Sequence, residues 1–195
     1  MVFEPHIFPP MVVTDTCAVW NILSARRLFH TAFNANLTFC ITPMVVYECL
    51  HKPRKVVTPE NTELINRLNA ARQKEKFPVV ECDVEDLLSL SRDAPIKLGS
   101  GELSCIATSY RMRTIAVMTD DRAARNYAKE SLALRVETTP RLYGWLHFHR
   151  HLSDCDHAEI LKEHEKHERR PLTKFFCDAY ETALQYRLIE QQKSV

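Results

Sequence analysis

Short apolar runs alternate along this chain with longer stretches of helical period, and no other feature constrains the fold as much. The runs are Met11 to Thr14, Leu37 to Ile41, Val79-Val80, Thr114 to Thr119 and Ala133 to Val136. Their lengths suit strands, and the stretches between them carry apolar residues three and four apart, which is the order of β-α-β units around a mostly parallel sheet. The spacing predicts helices over 16–33, from Pro43 through Glu48, over about 60–75, over 84–92, from Ser100 past Tyr110 and from Asp120-Asp121 past Lys129. Thr42 and Ser100 suit N-caps, and Pro43 suits a first helical position. Leu103, Ile106, Ala107 and Tyr110 mark a core-facing stripe. After Pro140 the chain reads as helix over 140–148, 154–168 and 173–190, with Phe176, Ala179, Tyr180, Ala183, Leu184 and Leu188 on one face of the last.

Several function classes drop out. The glycines are Gly99, Gly101 and Gly144, which spell no phosphate-binding glycine loop. A net charge of +1 gives no strongly basic surface, so any nucleic-acid contact is local. The first ten residues, with Glu4 and three prolines, predict no signal peptide. No apolar run approaches the roughly 18 residues of a membrane helix. Seven cysteines without a C-x-x-C pair predict reduced, buried thiols and a cytoplasmic home.

The chemistry lies in the acids. Asp15 follows the first run, Glu48 falls in the second helix, Glu102 opens a later helix, and Asp120-Asp121 follow the fourth run. Ligands of open α/β sheets bind beyond the carboxyl ends of the strands, so neighbouring strands would bring these acids together. Two carboxylates about 5 Å apart repel by roughly 3 kcal/mol at an effective dielectric near 20. Convergence therefore implies a cation, and oxygen ligands alone favour Mg²⁺ or Mn²⁺. Such ions activate water for phosphodiester hydrolysis. The competing reading of each acid is a helix cap or dipole partner. Glu48 resists it, standing among Met44, Val45, Val46, Tyr47 and Leu50 where a lone carboxylate is costly to bury.

With these motifs in order, the sequence resembles the PIN-domain nucleases, including the VapC-type toxins of toxin/antitoxin pairs. The matching pieces are Val12-Val13-Thr14-Asp15-Thr16, Glu48, Gly101-Glu102 and Met118-Thr119-Asp120-Asp121-Arg122, with Leu134-Arg135-Val136 and Thr138-Thr139 like a closing segment. The likeness spans about residues 11–146. It implies a three-layer α/β/α fold with a mostly parallel sheet of about five strands, carrying a metal-dependent ribonuclease. Asp15, Glu48, Glu102 and Asp121 would be catalytic, and Asp15, Glu102, Asp121 and Asp120 would hold Mg²⁺ or Mn²⁺. The place of the fourth acid two residues after a hydroxyl residue, here Thr119, selects Asp121 over an assisting Asp120. Thr16 would support the metal or its waters. RNA is the implied substrate, with an antitoxin or other protein partner and a homodimer. The expected division is a lead-in over 1–10, a nuclease domain over 11–149 and a helical extension over 150–195, which is longer than the family's usual end.

Arg122, Arg125, Arg26, Lys52, Arg54 and Lys55 either line a groove for phosphates or form an ordinary solvated surface. Residues 51–59 read as an exposed basic loop. Six of the nine histidines lie between His147 and His167, without the cysteine or acid spacing of a transition-metal site. Tyr143, Trp145, Phe148, Phe175 and Phe176 read as packing residues. Two other functions compete: a catalytically inactive scaffold of the same fold that binds RNA or a protein, and a phosphohydrolase or receiver domain. The last is disfavoured because Cys17 stands where the phosphohydrolase pattern needs a second aspartate.

Overall fold

The structure, a computed structural model, describes residues 4–54, 56–167 and 171–193. The chain divides into two units. The first to be described, Pro9–Trp20 with Leu37–Thr138, holds the sheet. The other comprises Met1–Phe8, Asn21–Asn36 and Thr139–Val195, and its described secondary structure is helix.

Strand β1 (Met11–Thr14) leads into α1 (Thr16–Ser24), which passes from the sheet unit into the helical unit after Trp20, and then into α2 (Arg26–Asn34). The sequence spacing predicts a single helix over 16–33, which the structure divides in two. The break falls at Ala25, in extended conformation (φ −120°, ψ 120°), where the Ser24 hydroxyl donates to the Asn21 carbonyl (2.7 Å). Serine offers the backbone that alternative, which is why it weakens helix interiors. Next come β2 (Thr38–Cys40) and α3 (Pro43–Val46), whose N-cap is Thr42, as the sequence predicts. A wider π-type turn over Tyr47–His51 continues α3 and carries Glu48.

Helices α4 (Pro59–Gln73), α5 (Val84–Ser91) and α6 (Ser100–Met112) precede β3 (Ala116–Met118). Helix α7 (Arg122–Asn126), again continued by a π-type turn over Tyr127–Ser131, precedes β4 (Val136–Glu137). In α6 the buried face runs through Ser104, Cys105, Ile106 and Ala107, whereas Tyr110 is exposed under the Arg113 guanidinium, 3.9 Å from its ring centre. Apolar spacing does not distinguish such a position from a core one, because an aromatic ring covered by a cation is stable in water.

Among the described residues the sheet has four parallel strands in the order β2-β1-β3-β4. The expected strand at Val79-Val80 is reduced to one parallel bridge between Ile41 and Val79. Pairing stops there because Thr42-Pro43 turns into α3. The last strand begins later than expected, Ala133 being held at φ 54°. Val12, Val13, Phe39, Ile41, Val117 and Met118 are buried, the continuous apolar runs of strands covered on both faces. Chain order reverses at β1, which pairs with β2 on one side and β3 on the other. Such a switch point opens a crevice at the carboxyl ends of the two inner strands.

The helical unit adds α8 (Thr139–Phe148), α9 (Asp154–His167) and α10 (Thr173–Lys193). Phe176, Ala179 and Ala183 are buried as expected, while Phe175 and Leu188 are 57% and 61% exposed and pack in no core. No helix among the described residues is long and apolar enough to cross a membrane. Cys40, Cys49 and Cys105 are buried, whereas Cys17 and Cys155 are exposed.

Candidate active site

Asp15 leaves β1 with its N–H donating to the Met118 carbonyl (3.0 Å), which ties the turn after β1 to the end of β3. Its Oδ1 accepts from the Ala18 N–H at 2.8 Å and so caps α1. Its Oδ2 is buried and has no hydrogen-bond partner among the described residues. Burial raises this carboxyl from 3.8 to about 8; the charges of Asp120 and Glu102 push the same way, against bonds from the Thr119 side chain and the Ala18 amide.

Helix α6 opens at Gly99 without a side-chain cap of its own. Glu48 fills the gap from its π-type turn. Its Oε1 accepts from the Ser100 hydroxyl (2.9 Å) and the Gly101 N–H (3.1 Å), and its Oε2 accepts from the Thr16 hydroxyl (2.6 Å). Ser100 is thus a donor to Glu48 rather than the expected cap. One residue on, Glu102 has a buried Oε2 with no hydrogen-bond partner among the described residues. Burial raises its carboxyl, opposed by its own and the Gly99 amide and reinforced by the charges of Glu48 and Asp121.

Beyond β3, buried Thr119 accepts from the Asp121 N–H (3.1 Å) and also bonds Asp15. Asp121 caps α7 through Oδ1 to the Ala124 N–H (2.8 Å). Capping and gathering at one site are therefore not alternatives here, since Asp15 and Asp121 each give one oxygen to a helix. Asp120 is the member of the pair whose charge acts on Asp15, and Asp121 the one whose charge acts on Glu102. Asp15, Glu48, Glu102, Asp120 and Asp121 all stand in the sheet unit, within electrostatic reach of a neighbour in the set.

The cations are less available than the sequence suggests. Lys52 lies 3.9 Å from Glu48 Oε1, Arg54 donates to the Cys49 carbonyl (3.0 Å) and covers Trp20, and Arg125 donates to the Asp120 carbonyl (2.6 Å). Arg122 is exposed in the first turn of α7. Arg26 belongs to the helical unit, where its N–H donates to Glu163 (2.8 Å). Lys55 lies outside the described residues. Local spacing gave no signal for Ser100 as a partner of Glu48, 52 residues away.

Among the described residues no three His, Cys, Asp or Glu side chains stand close enough to enclose a metal ion. The donor set still fits a hard cation. Asp15 Oδ2 and Glu102 Oε2 are buried oxygens lacking partners, and Mg²⁺ is commonly held by one or two carboxylates with waters and substrate phosphates as its other ligands.

A parallel sheet whose inner strands β1 and β3 are both followed at their carboxyl ends by acids defines an α/β protein with an acidic switch point. The chain belongs to the PIN-domain family, whose description, PIN domain, matches residues 11–142. Members of that family are generally nucleases that use divalent metals. Among curated proteins no match to the sequence is found.

Proposed function

We propose that this protein is a metal-dependent endoribonuclease that hydrolyses RNA phosphodiester bonds with water. The observation that carries the reading is the pair of buried, unpartnered oxygens, Asp15 Oδ2 and Glu102 Oε2, in a neighbourhood charged by Asp120 and Asp121. Carboxylates so desolvated are costly to ionise alone and gain most from a cation. In this reading Asp15 and Glu102 hold Mg²⁺ or Mn²⁺, with Asp121 and Asp120 adding negative field. The ion, when bound, lowers the pKa of an attacking water and neutralises charge on the phosphate oxygens. Thr119 holds Asp15 and Asp121 in register, and exposed Arg122 meets a substrate phosphate, with Lys52, Arg54 and Arg125 turning from their present partners to further phosphates. Seven widely spaced cysteines without a C-x-x-C pair suit a reducing cytoplasm. Likeness to the VapC-type toxins adds an antitoxin partner and a homodimer, tested by co-purification with the product of a neighbouring gene and by light scattering.

Cleavage of RNA in Mn²⁺ by the purified chain, beside Asp15→Asn and Glu102→Gln, tests the activity. Loss in both variants is the expected result, by at least about 100-fold for groups acting as one unit. Equal cleavage by all three proteins would assign the activity to a contaminant. A second reading, an inactive scaffold that binds RNA or a protein, is favoured by the lack of a three-acid group among the described residues. RNA binding without cleavage by the wild type would select it.

A further inference from the structure

We propose that Glu48 is a positioning residue, a latch that sets where Glu102 stands relative to Asp15 instead of holding the ion through its own charge. The role takes its purpose from the nuclease reading above. Both carboxylate oxygens of Glu48 are already engaged: Oε2 by Thr16, Oε1 by Ser100 and the Gly101 amide, with Lys52 behind them. Thr16 directly follows Asp15, and Gly101 directly precedes Glu102. The latch therefore joins the residue after one acid to the residue before the other, across 32 and 53 positions of sequence.

Physical chemistry favours a carboxylate at this place. The first turn of a helix leaves backbone N–H groups unpaired and carries partial positive charge, and Gly99 brings no side chain to meet them. Bonds to an ionised acceptor are roughly twice as strong as neutral ones. The fit is close on the other side too, because a Cβ at Gly101 would collide with Glu48 Oε2 and Thr16 Oγ1. Without the latch nothing in this set of bonds fixes the start of α6 against the start of α1, and an error of about 1 Å in such a site costs on the order of 100-fold in rate.

The test uses the full chain as wild type, Glu48→Gln, Glu48→Ala, Ser100→Ala and the Glu48→Ala/Ser100→Ala double variant. Urea denaturation in chelator reads the coupling without any metal or activity. For a latch, the double variant's unfolding constant lies within about threefold of Glu48→Ala alone, because the Ser100 bond is already gone. Multiplication of the two single effects would overturn the proposal. Calorimetric titration with Mn²⁺ then separates position from charge. Glutamine can accept from Ser100 and Gly101 and donate to Thr16, so Glu48→Gln keeps Mn²⁺ affinity within about threefold while Glu48→Ala loses about 10-fold or more. Equal losses in Gln and Ala would overturn the latch and make Glu48 a direct holder of the ion. If the wild type takes up no Mn²⁺, the nuclease reading fails, and the denaturation cycle alone decides whether Glu48 couples the two helix starts.

Discussion

Asp15 carries two tasks on one carboxylate, with one oxygen capping α1 and the other buried without a partner. The second task has a thermodynamic sign. The folded carboxyl keeps its proton to about pH 8, whereas 3.8 is its ordinary value, so the folded form holds the extra proton between those limits. Its contribution to stability is complete below the lower value and is lost as pH rises towards the upper one. Asparagine keeps the capping oxygen and removes the ionisation. In chelator, Asp15→Asn is therefore expected to exceed wild type in unfolding free energy at pH 8 by at least about 1 kcal/mol, with a smaller gap at pH 6. Urea denaturation at the two pH values checks this; a variant less stable than wild type at pH 8 would mean that the fold stabilises the carboxylate form.

At the scale of elements, the starts of α3 and α6 govern the site. Replacing a helical glycine by alanine ordinarily gains up to about 1 kcal/mol. Gly101→Ala is expected to reverse that sign and cost about 1–3 kcal/mol, since the added methyl meets Glu48 and Thr16. A higher denaturation midpoint for this variant would show that the contact yields freely. Thr42 is the second example. Its hydroxyl accepts from the Val45 N–H (3.3 Å) and pairs with buried Ser104 Oγ (2.6 Å). Thr42→Ala removes the cap and one partner of a buried hydroxyl, for an expected loss of about 1–2 kcal/mol. Thr42→Ser should recover most of it, and equal losses in Ala and Ser would assign the effect to packing of the methyl group instead.

At the scale of the whole molecule, the two units should answer pH differently. In the helical unit His147 is fully buried, its ring set edge-on to Tyr143 and Tyr180 (centroids 4.6 and 4.8 Å) and near His157. Neither of its ring nitrogens has a hydrogen-bond partner among the described residues. Burial lowers it to about 4, helped by the charges of His157 and Arg187 and opposed by Asp154 and Asp156. His164, between the Ser24 hydroxyl (2.6 Å) and the Leu172 N–H (2.8 Å), is lowered to about 4, again mainly by burial. Unfolded imidazoles take up protons near pH 6.5 and the buried ones resist until about 4. The unfolded form thus binds more protons in that window, and stability is lost as pH falls through it, by up to about 3 kcal/mol for each group. Hydrogen exchange at pH 5, corrected for intrinsic rates, should show loss of protection in α8 and α10 before β1 and β3. His147→Phe should weaken the effect. Uniform loss in both units would refute it.

Local pattern carried much of this protein. Apolar runs of strand length followed by helical spacing foretell a parallel α/β sheet because both periods are properties of a few consecutive residues, and the same reading puts acids just past β1 and β3. Local pattern does not record the Ser24 side-chain bond at the end of the first helix, the lone bridge at Val79, the cover of Tyr110 by Arg113 or the exposure of Phe175, because each depends on how side chains are placed in three dimensions. The amino-acid order by itself determined which acids exist and which strand or helix each one follows. Only the tertiary structure decided which of their oxygens are left over, because the groups that occupy Glu48 come from 32, 52 and 53 residues away, and no short-range pattern records them.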